Sequence, residues 1–203
     1  MTEVTALSQA PVELRLAMPS DGAEIAGVFA DTCRYAYQDV LPPAFLARYV
    51  PDVQIPRWTS HLGSLPHSHR ITLACQEGRI IGFIEASRGR PDGESRTIGN
   101  ITVDDPARVG EVDYLFVHPP SIGSGVGRLL LSAGESWLTV AGVDSVILWV
   151  LSDNVSARAF YERCGWEFTG HEQLEPGLQK KGFSVHECLY RKTLTQSAIT
   201  PET

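Results

Sequence analysis

Three stretches of this 203-residue chain carry residue types that can do chemistry as well as pack. The first is "VHPPSIGSGVGRLLL" (117–131), a strand end followed by two prolines, a glycine cluster and an apolar helix. Gly123, Gly125 and Gly127 let the backbone approach an anion, and a helix N-terminus offers unpaired N–H groups to hold it. A dinucleotide, a nucleoside triphosphate and coenzyme A are all candidate guests. No Lys-Ser or Lys-Thr follows the glycines, which excludes a P-loop, and the sixth position counted from Gly123 is Arg128, which breaks the Rossmann pattern.

The second stretch is "GEVDYLFV" (110–117), in which Glu111 and Asp113 share strand parity. Both carboxylates can then face one cleft, although solvated rim charges are the plainer alternative. The third is "NVSARAFYERCGW" (154–166). Asn154, or Asp153 before it, can cap a short helix that places Ala157, Phe160, Tyr161 and Cys164 on one face, and Gly165 ends it. As packing alone, this is a core stripe with a buried tyrosine.

These stretches need a scaffold to position them. "VELRLAM" (12–18) alternates as a half-buried strand, and Pro19, Ser20 and Asp21 start a helix burying Ile25, Val28, Phe29 and Cys33. A shorter helix follows Pro42-Pro43, with Pro51 and Pro56 as interruptions before Trp58 and Leu62. "ITLACQ" and "IIGFIEAS" form a hairpin through "EGR". Residues 88–109 have no sustained period and read as a long loop with a short strand at "TIGNITV". A strand (110–117), a helix (123–140) with Val126, Leu129, Leu130, Ala133 and Trp137 on one side, the strand "SVILWVL" and a helix (155–164) come next. Two strands close the chain, near "WEFTGHE" and "FSVHECLYRK". The order is β-α-α-β-β-β-α-β-α-β-β, a mixed α/β (α+β) sheet rather than a doubly wound one. Residues 12–192 are expected to form one domain, with flexible ends at 1–11 and 193–203.

Composition narrows the function. A formal charge of −7 argues against a nucleic-acid partner, because such binding draws on Lys and Arg. No apolar run approaches the roughly 18 residues of a membrane span. "MTEVTALSQA" lacks the basic start and apolar centre of a signal peptide, so a cytoplasmic setting is expected. The four cysteines are scattered, which suits reduced, packed thiols. His67 and His69 form H-x-H with no third ligand in evident register, so no metal is expected; His118, Lys180 and Lys181 read as surface residues.

Taken together, the first and third stretches resemble the GNAT superfamily of N-acetyltransferases. "LFVHPPSIGSGVGRLLL" looks like the family's acetyl-CoA pyrophosphate loop, [QR]-x-x-G-x-[GA]. "NVSARAFYERCGWEFTG" looks like its next and more specific motif, N-x-x-A-x-x-F-Y-[EK]-[KR]-x-G-[FW]. The similarity covers about residues 12–192. It implies a mostly antiparallel sheet flanked by helices, with a splayed central strand pair. One position departs: the usual Gln or Arg is Ile122, so backbone N–H groups from Gly123 to Arg128 would hold the phosphates without that side chain.

The resemblance implies direct, acetyl-CoA-dependent acetylation of a primary amine on a small molecule or peptide, without a metal. A non-catalytic acyl-CoA-binding module and a longer-chain acyltransferase are the alternatives. Such a transfer needs a base for the ammonium, donors for the oxyanion, and an acid for the thiolate. By resemblance, Tyr161 is the acid and Glu111 the base, while Leu115, Phe116 and Val117 supply backbone donors. Ile122, Gly123, Ser124, Gly125, Val126, Gly127, Arg128, Asn154, Ala157 and Tyr161 complete the cofactor site. Tyr35, Tyr37 and Asp113 are candidates for the acceptor side, and a monomer or a homodimer fits equally.

Overall fold

A computed structural model of the chain describes residues 10–89 and 96–195. The ends expected to be flexible fall mostly outside those residues, as does the 90–95 part of the expected loop. The first half runs β1 (Glu13–Leu16), α1 (Gly22–Tyr37), α2 (Pro43–Leu46), α3 (Pro51–Gly63), β2 (His69–Gln76) and β3 (Arg79–Arg88). A short pair, β4 (Arg96–Ile98) and β5 (Ile101–Val103), leads to β6 (Val109–Val117) and α4 (Val126–Val140). The chain ends with β7 (Ser145–Leu151), α5 (Val155–Arg163), β8 (Glu167–Leu174), α6 (Pro176–Gln179) and β9 (His186–Thr193).

Seven strands form one sheet in the order β1-β2-β3-β6-β7-β9-β8, antiparallel except where β6 meets β7. Both sheet faces are covered. On one, Ile84, Val146, Leu148 and Tyr190 pack against Leu130, Leu131 and Leu138 of α4 and Tyr161 of α5. On the other, Ile71, Leu73 and Phe83 pack against Ile25, Phe29 and Cys33 of α1 and Trp58 of α3.

Three expectations are corrected. Pro56 does not interrupt a helix, because α3 runs through it. The burial of Trp58 and Leu62 in the core outweighs the helix bond that a proline nitrogen cannot make. The stretch 96–103 is a two-stranded antiparallel pair with its own register, not a loop with one strand. The buried side of α4 is Val126, Leu130, Leu131, Gly134 and Leu138, while Leu129 is exposed. Gly134 explains the rotation. A Cβ there would lie 2.7 Å from Ile84 Cδ1, so the glycine lets α4 settle on β3.

The pairing of β6 with β7 stops early. It covers only Val109–Glu111 against Ser145–Ile147, after which β6 runs on to Val117 and β7 to Leu151 without cross-pairing. The other edge of β6 shows the cause. Val112 pairs with Ala86 and Tyr114 with Glu85, which leaves Asp113 as the extra residue of a β-bulge. A bulge bends and twists its strand, so β6 turns away from β7.

A polar clamp fixes α4 against α5 and β9. Lys192 Nζ donates to Glu135 Oε1 and Oε2 (2.9 and 2.8 Å) and to the Cys164 carbonyl at the end of α5 (2.8 Å). Trp166 Nε1 donates to the same Glu135 (2.9 Å). Replacing Lys192 with Met should leave Glu135 and the α5 terminus short of partners. We expect a loss of about 1–3 kcal/mol, read as a melting temperature lower by roughly 2–10 °C in a thermal scan.

Candidate active site

The glycine loop sits where β6 hands over to α4. A short helical turn at Pro119–Ser121 carries the chain to Gly123 (φ +84°) and Gly125 (φ +92°), and Gly125 is the N-cap of α4. A Cβ at either position would meet only open space, so backbone conformation is what requires glycine there. Gly127 has a different task. A Cβ there would touch the Phe160 ring at 3.4 Å, so this glycine seats α4 against α5.

The first backbone bond into α4 runs from the Leu129 N–H to the Gly125 carbonyl (3.1 Å). The amides of Val126, Gly127 and Arg128 precede it and have no partner within the helix. Unpaired amides at a helix start, with the positive end of the helix dipole, can hold an anion. Two expected members are turned elsewhere: the Ile122 N–H bonds the Pro119 carbonyl (3.2 Å), and the Ser124 N–H bonds the Ser121 carbonyl (3.3 Å). The Ile122 side chain is 47% exposed, and Arg128 reaches the Arg163 carbonyl (3.4 Å).

The gap between β6 and β7 holds a cavity of about 410 Å³. Asn154, Ala157 and Tyr161 line it from α5, and Leu115 and Phe116 from β6. Asn154 caps α5 through its side-chain oxygen, which accepts from the Ala157 N–H (3.1 Å). Thr32 of α1 joins this wall to the end of β6, its hydroxyl donating to the Val117 carbonyl (3.1 Å). The same space continues to Asp113, Tyr114, Tyr37, Arg57 and Trp149, with Glu175 and Glu187 beyond. The Tyr161 motif and Asp113 therefore line one cavity.

The cavity's electrostatics follow from burial. Desolvation pushes the Asp113 carboxyl up to about 6, and the charge of nearby Glu85 adds to it. Ser87 hydrogen-bonds this carboxyl and, with His69, opposes the rise. Among the described residues its Oδ2 is buried with no hydrogen-bond partner. Burial likewise raises the Tyr161 and Tyr37 phenols and the Glu187 carboxyl, the last held partly in check by Gln173 Nε2 donating at 2.9 Å. Arg57 donates to the Tyr114 hydroxyl (2.9 Å) and lies over the Phe29 ring.

The two carboxylates of β6 are separated by the bulge. Alternation does not carry from Glu111 to Asp113, because Asp113 is the inserted residue. Glu111 sits in the closed part of the sheet, paired with Ser87 on one side and Ile147 on the other, and the cavity wall carries Asp113 instead. Tyr37 lines the cavity, whereas Tyr35 is 52% exposed and lies outside its lining. Sequence reasoning missed Arg57, Trp149, Glu175 and Glu187, whose stretches carry no motif. It also left His69 without companions, although an acid inside the apolar run "IIGFIEAS" was a visible signal. Glu85 lies there, 1% exposed, and accepts from His69 Nδ1 (2.9 Å) and His61 Nε2 (2.8 Å). His69, Glu85 and Asp113 have ligand-type atoms within 4.8 Å of one another.

Comparison with known proteins places this architecture. The solved structure of PaiA N-acetyltransferase from Thermoplasma acidophilum, in complex with coenzyme A, aligns over 90% of this chain and 99% of its own, with a TM-score of 0.63 at 17% identity. An acetyltransferase from Thermus thermophilus aligns over 90% and 97%, with a TM-score of 0.60 at 19% identity. Among curated proteins, mycothiol acetyltransferase from Amycolatopsis mediterranei is 38% identical over 105 residues, which are 49% of this chain and 30% of that protein. Its counterpart from Rhodococcus opacus is 44% identical over 64 residues, 32% of this chain and 21% of that protein. The chain thus spans less than a third of the length of these relatives. The model of the acetyltransferase (GNAT) family matches residues 31–166, from α1 to the end of the Tyr161 motif. The chain, with its β6–β7 splay and glycine-capped α4, belongs to the GNAT family of acetyltransferases.

Proposed function

We propose that the protein transfers an acetyl group from acetyl-CoA directly to a primary amine of a small molecule or peptide. The observation that carries this reading is the single cavity that joins Tyr161 on α5 to a buried, raised carboxyl, Asp113, on β6. The residues present suit the cosubstrate. Three first-turn amides on α4 without a helical partner follow a loop opened by Gly123 and Gly125, and the splayed edge of β6 borders the cavity. Bound acetyl-CoA would supply an activated thioester carbonyl.

The amides of Val126, Gly127 and Arg128 hold the pyrophosphate, and the unpaired edge of β6 around Leu115–Val117 steadies charge on the carbonyl oxygen. Tyr161 keeps its proton at neutral pH, as a donor to the departing sulfur must, since burial raises its phenol. Asp113 removes the proton from the acceptor's ammonium, a role matched to its midpoint of about 6. That assignment replaces Glu111, which the ladder holds in the closed part of the sheet. Tyr37, Tyr114 and Trp149 provide an aromatic wall for the acceptor.

The test is conversion of acetyl-CoA to CoA, followed by chromatographic separation of the two, across amines spanning amino sugars, amino acids including cysteine, polyamines and lysine peptides. The relatives' name makes thiol-bearing amines a priority in it. Tight acetyl-CoA binding without release from any amine would reduce the protein to an acyl-CoA-binding module. Faster release from longer acyl-CoAs would make it a different acyltransferase.

Activity on the best amine should rise with pH through about 6, as Asp113 ionises. Asp113→Asn should lower kcat by on the order of 10²-fold or more and should also stabilise the fold at neutral pH. The sign follows from a folded midpoint of about 6 against an ordinary 3.8. The stability present below the ordinary value is lost as pH rises through the folded one, so Asn relieves about 1–3 kcal/mol near pH 8 and nothing near pH 3. Denaturant melts at both pH values check this. Tyr161→Phe should lower kcat by on the order of 10²-fold with little change in acetyl-CoA KM. Ile122→Arg should tighten acetyl-CoA a few-fold by calorimetry, by adding a charge-assisted contact at the loop.

A further inference from the structure

A buried acid stands beside the cavity and outside the chemistry described so far. Glu85 lies in the middle of β3 at 1% exposure, where an apolar side chain would pack without penalty. Both of its oxygens accept from imidazoles: Oε1 from His69 Nδ1 (2.9 Å), and Oε2 and Oε1 from His61 Nε2 (2.8 and 3.0 Å). The histidines come from different elements, His61 from α3 and His69 from β2, and their side chains are 34% and 27% exposed. Asp113 is the other neighbour. Its carboxylate lies within 4.8 Å of ligand-type atoms of both His69 and Glu85, the span of one carboxyl rotation or one bridging water. The polar groups of the Asp113 cavity therefore continue, through a buried carboxylate, to two imidazoles at the surface.

The reaction requires such an exit. When an ammonium becomes an amide, the C–N bond forms, the thioester C–S bond breaks, and the nitrogen gives up two protons. One stays on the CoA sulfur. The other must leave the protein each turnover, while acceptor and acyl donor fill the cavity above Asp113.

We infer that Glu85, His61 and His69 form a proton-exit relay that returns Asp113 to its ionised form after each turnover. The inference rests on Asp113 being the base. The proton passes from Asp113 to the Glu85–His69 pair, and a surface-facing imidazole nitrogen releases it to buffer. No electrons move and no bond other than O–H and N–H is made or broken along this path. Among the described residues, the ionisable groups around the path include Arg57 from α3, Tyr114 from β6, and the relay members themselves; Ser87 of β3 adds a neutral hydrogen bond to Asp113. Glu85, His61 and His69 act through Asp113 and touch no substrate.

The experiment compares the wild-type chain with Glu85→Gln, His69→Gln, His61→Gln and Asp113→Asn, using acetyl-CoA and the amine from the panel that turns over fastest. Circular dichroism melts screen each for folding. For Glu85→Gln the expected result is a kcat lower by about 10-fold or more, an acetyl-CoA KM within about two-fold of wild type, and a larger solvent deuterium isotope effect. Its kcat should recover as imidazole buffer is raised, because small bases then carry the proton that the relay no longer carries. The two histidine variants should show the same buffer rescue, and they decide the matter if Glu85→Gln does not fold. A folded Glu85→Gln with wild-type kcat and pH profile would overturn the relay, as would a loss that no buffer concentration rescues. Inactivation of the wild type by EDTA with recovery on adding Zn²⁺ would also overturn it, since the same side chains would then be metal ligands. Failure of the base assignment looks different: Asp113→Asn would keep its activity. An inactive Asp113→Asn beside unaffected relay variants removes the relay alone.

Discussion

One inserted residue governs this molecule. Asp113 has no counterpart on β3, and the bulge it creates swings β6 off its parallel neighbour three pairs after the ladder begins. The cavity, the free edge of β6, and Tyr161 of α5 all border the resulting gap. The bulge also buries its own residue. A carboxylate inserted there is largely desolvated, and its midpoint rises toward neutrality. The same backbone irregularity thus opens the room and tunes the group inside it.

The second constraint is the seam between α4 and α5. Gly127 against Phe160, and Glu135 shared by Lys192 and Trp166, lock the two helices that carry the glycine loop and Tyr161. The first-turn amides of α4 and Tyr161 are thereby held in one frame. The three glycines of the loop are not interchangeable: two serve backbone conformation and one serves helix contact.

Much of this was legible in the residues, and the reasons for the rest are physical. Apolar periodicity identified α1, α4, α5 and the main strands, because those elements bury one clear face. It failed on α3, where two prolines argued for interruption but tertiary burial of Trp58 prevailed, and on the α4 stripe, where Gly134 is a contact residue with no hydrophobicity to register. The glycine loop and the Tyr161 motif were legible as motifs, and the structure places Asn154, Ala157 and Tyr161 of the latter on the cavity. The acceptor side was opaque for a specific reason. Strand parity ranked Glu111 and Asp113 as equals, and only the unseen bulge separates them, so a period-two argument was applied across a break in the period. Arg57, Trp149 and Glu187 arrive from elements that meet only in three dimensions.

The short β6–β7 ladder has a mechanical meaning. The sheet behaves as two leaves joined along a narrow spine, Val109–Glu111 against Ser145–Ile147. That spine is pinned at its end by Arg108 Nε on Asp144 (2.7 Å) and by the Leu194 N–H on the Asp144 carbonyl (2.8 Å). With a strand rise of about 3.3 Å per residue, the far wall of the gap stands about 15 Å from the spine, so a swing of about 5° there moves the walls by about 1 Å. One ångström is close to the length one methylene adds to an acyl chain. On the proposed function, Arg108 and Asp144 would therefore bear on the fit of the acyl group from a distance, although neither lines the cavity.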